Sequence, residues 1–158
     1  MKYSRLTKEQ FEIFHEKFAK FLATQQIDKD EWKKIVETKK ELSVELLDLF
    51  SDIIWEDGLA NAQYLEHYSE KDFKAFKFGE DHVDMVAVKI KGDLDINFTE
   101  ENAFKKLFEK IMDPNVELFN GKKKIEGERN VEMFELIKEG CIISSPQLFE
   151  ALSEAIKS

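Results

Sequence analysis

The stretch FKAFKFGEDHVDMVAVKI, Phe73–Ile90, decides how this chain folds. Its second half, VDMVAVKI, is rich in β-branched residues and reads as a strand, whereas the aromatic spacing of FKAFKF suits either a strand or a helical turn. Gly79, Glu80 and Asp81 between them are loop-forming residues. The pattern predicts an antiparallel hairpin of about Phe73–Phe78 and Val83–Lys91 with GED as its connection.

The same stretch holds the densest potential chemistry. On extended backbone His82 and Asp84 point to one face, roughly 6.5–7 Å apart, a spacing at which two side chains can share one metal ion. The nearest further donors are Glu66 and His67 in YLEHY. A set of His67, His82, Asp84 and Glu66 would suit Zn or Fe(II), which activate water for hydrolysis or bind oxygen. Against this, acids at a hairpin loop face water at little cost, and no HExxH, paired HxH or CxxC spacing is present. The charged turn is therefore the primary reading and the metal site its alternative.

Outward from the hairpin, helix starts are written in local grammar. LTKEQF offers Thr7 as N-cap, Gln10 as capping-box partner and Leu6 facing Phe11 as a staple; IDKDEW repeats this with Asp28, Glu31 and the Ile27/Trp32 pair. Phe11, Phe14, Phe18, Phe21 and Leu22 then form one apolar stripe. A second helix is expected over about Lys29–Lys40, and a third after Ser43 that Gly58 ends or interrupts. LANAQYLEHY is helix-compatible, and Ser69 marks a turn. Beyond the hairpin, DLDINF suggests a short strand, Thr99 caps a helix to about Met112, VELFN is a strand and GKKKIEGER a loop. Asn130 caps a helix to Glu139 with Gly140 after it, CII is an extended link, and Ser145 and Pro146 open the last helix, with Leu148, Phe149, Leu152 and Ile156 on its apolar face.

These elements predict an α+β fold in a single domain over residues 1–158, predominantly helical with a small antiparallel β-sheet in the middle of the chain. A domain of this length hides roughly 70% of its unfolded surface. The composition, 42% apolar and 36% charged, is that of a folded, soluble chain. With no apolar signal core and a single cysteine, Cys141, the expected location is the cytoplasm, with no membrane span and Cys141 as a small buried hydrophobe. The formal charge of −9 repels phosphate backbones, so nucleic acid is a poor candidate partner. Lys122–Lys124 read as a lysine-rich surface turn.

Only Arg5 and Arg129 stand among 24 basic residues. A chain that otherwise prefers Lys keeps the planar guanidinium where its fork matters, which makes Arg129, followed by Asn130, a candidate ligand or partner contact beside the plainer readings of lysine bias and structural pairing. No GxSxG, Cys/His constellation, GxxxxGK[ST] or GxGxxG motif occurs. The fourteen Phe exceed what a chain of this length commonly carries, and those left over from the core would form a partner-binding patch. The reading is a non-enzymatic protein-interaction module or adaptor without a cofactor, binding an unidentified protein partner or itself; the alternative is a small metal-dependent enzyme or ligand-binding protein using a divalent metal at the hairpin.

Five segments, YSRLTKEQ (Tyr3–Gln10), FLATQQIDKDEW (Phe21–Trp32), LFSDIIWEDGLANAQYLEHYS (Leu49–Ser69), AVKI (Ala87–Ile90) and ERNVEMFELIKEGCIIS (Glu128–Ser144), together resemble a family of short Bacteroidota proteins of unknown function. The resemblance runs nearly end to end and implies a cytosolic, single-domain bacterial protein. It carries no catalytic signature, and so no functional residue is transferred.

Overall fold

A computed structural model describes residues 1–157. Internal contacts divide the chain into two compact units, Met1–Gly58 and Leu59–Ser158.

The first unit is helical: α1 (Lys8–Ile13), α2 (His15–Thr24), α3 (Lys29–Thr38) and most of α4 (Lys40–Asn61). The capping grammar is realised. Thr7 and Gln10 close a reciprocal capping box, and Asp28 accepts the Glu31 N–H at 2.8 Å. The predicted first helix breaks at Phe14, which ends α1 and precedes α2. Its stripe still forms a core, in which the Phe18 ring meets Trp32 at 5.2 Å and Phe50 at 5.0 Å between centroids. Ser43 does not start α4; its hydroxyl donates to the Lys40 carbonyl inside the helix. Nor does Gly58 stop it, because a Cβ there would meet open space and one interior glycine costs only about 1 kcal/mol. Arg5 makes the bidentate pair expected of a retained arginine, Nε and Nη2 on the two Asp48 oxygens at 2.6 and 3.1 Å, and the bond holds that carboxyl below its usual range.

The second unit is built on a five-stranded antiparallel sheet, larger than the expected hairpin: β1 (Tyr64–Tyr68), β2 (Asp72–Phe78), β3 (His82–Ile90), β4 (Val116–Lys124) and β5 (Ile142–Ser144), in the order β4-β3-β2-β1-β5. The hairpin of β2 and β3 lies at its centre with Gly79–Asp81 as the turn. LANAQYLEHY is helical only in its first three residues, since α4 ends at Asn61, and YLEHY is β1, paired with both β2 and β5. DLDINF forms no strand; its Ile96 and Phe98 are instead plugged into the core. Thr99 is not a cap, because its N–H and hydroxyl both bond the Asn97 side chain, and α5 (Ala103–Glu109) begins later. β4 runs through the lysines placed in a loop, and the link CII overlaps β5. Glu128 rather than Asn130 occupies the N-cap of α6 (Arg129–Lys138), and α7 (Gln147–Lys157) follows Pro146 as expected.

Residues opposite one another in an antiparallel pair share a face. One face carries Tyr68, Phe73, Val88 and Leu118 in a row and, beside it, Glu66, Ala75, Val86 and Asn120. It packs against α5 and α7 through Leu107, Phe149 and Leu152 and forms the main core. The other carries the row Leu65, Phe76, Met85 and Gly121 and faces α6.

Candidate functional site

The alternation of side chains along a strand separates the proposed metal ligands. His82 and Asp84 lie on the α7 face, as expected from their spacing; Glu66 shares that face, but His67 points to the α6 face. His67 stands against Gly140, where an added Cβ would come within 3.4 Å of its Nε2. His82 Nδ1 lies 2.9 Å from Asp81 Oδ1, whose carboxyl this bond holds below its ordinary range. Glu66 is buried and accepts the Tyr68 hydroxyl at 2.6 Å. Asp84 sits between Lys77 and Lys122 in one cross-strand row. Among the described residues no group of three or more His, Cys, Asp or Glu is placed to hold a metal ion.

Arg129 is spent on the backbone. Its Nε donates to the Gly79 carbonyl at 2.9 Å, Nη1 to Leu59 carbonyl at 3.0 Å and Asn130 Oδ1 at 2.8 Å, and Nη2 to the Ala62 and Phe78 carbonyls at 2.5 and 3.4 Å. A guanidinium has five N–H donors, and all are engaged. The acceptors are carbonyls at the α4 C-terminus and at the β2–β3 turn, where the helix dipole favours a cation. Burial without a carboxylate lowers its pKa. Arg129 thus clamps a helix end to the central hairpin, and Asn130 helps hold its fork.

The feature with binding geometry lies on the α6 face, which α6 only partly covers. Met133 and Phe134 anchor α6 in the interior. Beyond them a groove of about 550 Å³ is left open, floored by Phe76, Phe78, Val83, Met85 and Leu136 and running to Gly121. This volume falls within the range of ligand and peptide pockets. Its α6 wall holds Glu132 and Glu135, both already engaged: Glu132 accepts the Glu126 and Gly127 N–H groups at 3.2 and 3.4 Å, and Glu135 pairs with Lys138 at 2.9 Å. Its β4 wall holds Lys123, which makes no ion pair among the described residues, whereas Lys122, opposite Asp84, belongs to the α7 face. Next to the groove on the α6 face, Phe119 is 45% exposed. The uncommitted charge of the groove is therefore positive on an acidic chain.

Several of these residues escaped sequence reasoning. The run GKKK is surface turn by composition, and only its pairing with β3 turns it into a groove wall. Of the fourteen Phe, Phe50, Phe73, Phe78, Phe98, Phe134 and Phe149 are buried, six more are half-buried, and Phe108 and Phe119 are the most exposed. Cys141 is buried as expected, and burial pushes its thiol pKa up.

No helix among the described residues is long and apolar enough to cross a membrane. No curated protein and no solved structure is significantly similar to the chain. A family profile matches residues 1–157, and the chain belongs to that family, described as a family of unknown function (DUF6495).

Proposed function

We propose that the protein is a non-enzymatic, cofactor-free adaptor, a cytoplasmic protein of Bacteroidota, that binds an apolar segment with an acidic flank in the groove between α6 and β4. One observation carries the reading: the apolar floor of Phe76, Val83, Met85 and Leu136 is walled on its β4 side by Lys123, which has no ion-pair partner among the described residues. An extended segment laying an aliphatic or aromatic side chain on that floor buries apolar area, and an adjoining carboxylate meets Lys123 as a complementary rim charge.

The test uses synthetic peptides that place one Phe or Leu beside Asp or Glu, titrated into isotope-labelled protein. Binding in the range of about 1–100 µM, with amide shifts concentrated at Phe76, Met85, Gly121 and Leu136, is the expected result. Replacing Met85→Lys in the floor should abolish it, and neutral or basic counterparts of the peptide should bind less well. Shifts confined to other residues, or binding indifferent to both changes, would refute the reading.

A further inference from the structure

We infer that the segment this groove accepts is β4 of a second copy of the same chain, so that two sheets join edge to edge and each copy completes the groove of the other. The inference rests on the groove reading above and names its occupant.

β4 is the outer strand of the sheet and nine residues long. The bonds Lys91 N–H to Asn115 carbonyl and Ile125 N–H to Asp81 carbonyl, each 2.8 Å, bracket its ladder with β3. Because antiparallel hydrogen bonding alternates along the strand, the odd-numbered residues of β4 bond to β3. Val116, Leu118, Asn120, Lys122 and Lys124 therefore turn their N–H and carbonyl groups outward. A long unpaired edge of this kind is a template for another strand.

The sequence of that edge, VELFNGKKK, is complementary to itself in reverse. A two-fold axis at Asn120 sets Glu117, which pairs with Lys91 in its own chain, against Lys123 of the second copy, and the reverse, with both residues on the α6 face. It sets Phe119 against Gly121, and Leu118 and Val116 against Lys122 and Lys124, so that the outward-facing positions bond to one another and the lysine runs stay apart. A Cβ at Gly121 would meet nothing within 4 Å, so the position is open to receive the exposed Phe119 ring, and Gly121 lines the groove. An aromatic ring laid across an edge glycine is a known device of strand pairing. Moving the axis to Phe119 or Gly121 keeps the outward positions matched but places Glu117 opposite Gly121 or Ile125, and no acid then meets Lys123. Charge therefore selects the axis at Asn120, and a two-fold interface of this type closes on itself.

The experiment is sedimentation equilibrium on the full chain from about 1 µM to 1 mM. Wild type should pass reversibly from monomer to dimer. Glu117→Lys and Lys123→Glu each place two like-charged pairs across the axis and should each weaken dimerisation roughly ten-fold or more. Mixed together, the two variants should form a heterodimer of near wild-type affinity, because each then supplies the charge that the other lacks; this recovery also shows that both are folded. Phe119→Ala should weaken the dimer without altering the charge pairing. A wild type that stays monomeric while acidic peptides still fill the groove overturns the second copy as occupant and leaves the groove reading intact; a monomer that also ignores the peptides overturns both. A dimer whose affinity is indifferent to either charge reversal, or that mixing does not restore, overturns the proposed axis.

Discussion

On the α7 face of the sheet, Phe73 and Val88 are 0% and 1% exposed and are closed in by Leu107, Phe149 and Leu152; on the α6 face, Phe119 is 45% exposed and the row through Phe76, Met85 and Gly121 ends in an open groove. The same strands furnish both faces. The difference arises from what is laid over them. α5, α7 and the plug of Ile96 and Phe98 all cover the first, whereas α6, held by Met133 and Phe134, covers only part of the second. A filled face contributes stability through apolar burial, and an unfilled one keeps apolar area in reserve for a partner.

The contrast can be broken most forcefully on the filled side. Phe73→Ala should cost about 3–5 kcal/mol in urea unfolding, because the ring is fully enclosed and its cavity cannot collapse among Phe98, Phe104 and Tyr68. Arg129→Met, which strips four carbonyls of their shared donor, should cost about 2–3 kcal/mol by the same measurement, and Arg129→Lys should recover only part of it, since an ammonium cannot span the fork. Met85→Ala in the groove floor should cost no more than about 1 kcal/mol, because its side chain borders open space, yet peptide binding should fall clearly. A stability loss at Met85 as large as that at Phe73 would erase the distinction between the two faces.

The smallest effect concerns pH. Burial first, and then the bond to the Glu66 carboxylate, raise the Tyr68 hydroxyl above the usual tyrosine range; burial and the bond to Glu56 push Tyr3 up to about 12. In both, folding favours the protonated form. Their contribution is intact below about pH 10, where an unfolded tyrosine ionises, and is lost as pH rises through the higher folded values. The urea midpoint should accordingly owe no slope to these groups between about pH 7 and 9 and should decline above that, with a shallower alkaline decline in Tyr68→Phe.

How much of this was legible in advance differs between the units for the same physical reason. The caps at Thr7 and Asp28 and the stripe from Phe11 to Leu22 depend on residues within a few positions of one another, and they stand where local grammar puts them. The central hairpin was legible through VDMVAVKI and the short turn before it, although FKAFKF by itself suited a helical turn as well. β1 was not, because YLEHY follows a 22-residue helix and is extended only by virtue of pairing with β2 on one side and the distant β5 on the other. The clamp at Arg129 had a compositional hint in the scarcity of arginine, but its acceptors lie 50 to 70 positions away in sequence.

By itself, then, the sequence determined the α+β class, the helix starts at Thr7 and Asp28, the hairpin at Phe73–Ile90 and the acidic, cysteine-poor character of the chain, because capping, alternation and composition are local quantities. Only the tertiary structure decided which face each strand residue occupies, and with it that His67 stands apart from His82 and Asp84, that Arg129 is occupied by backbone, and that Lys123 and Gly121 border a groove. Strand register and helix placement arise from contacts between segments far apart in the chain, and a shift of one residue in register would exchange every side chain between the two faces.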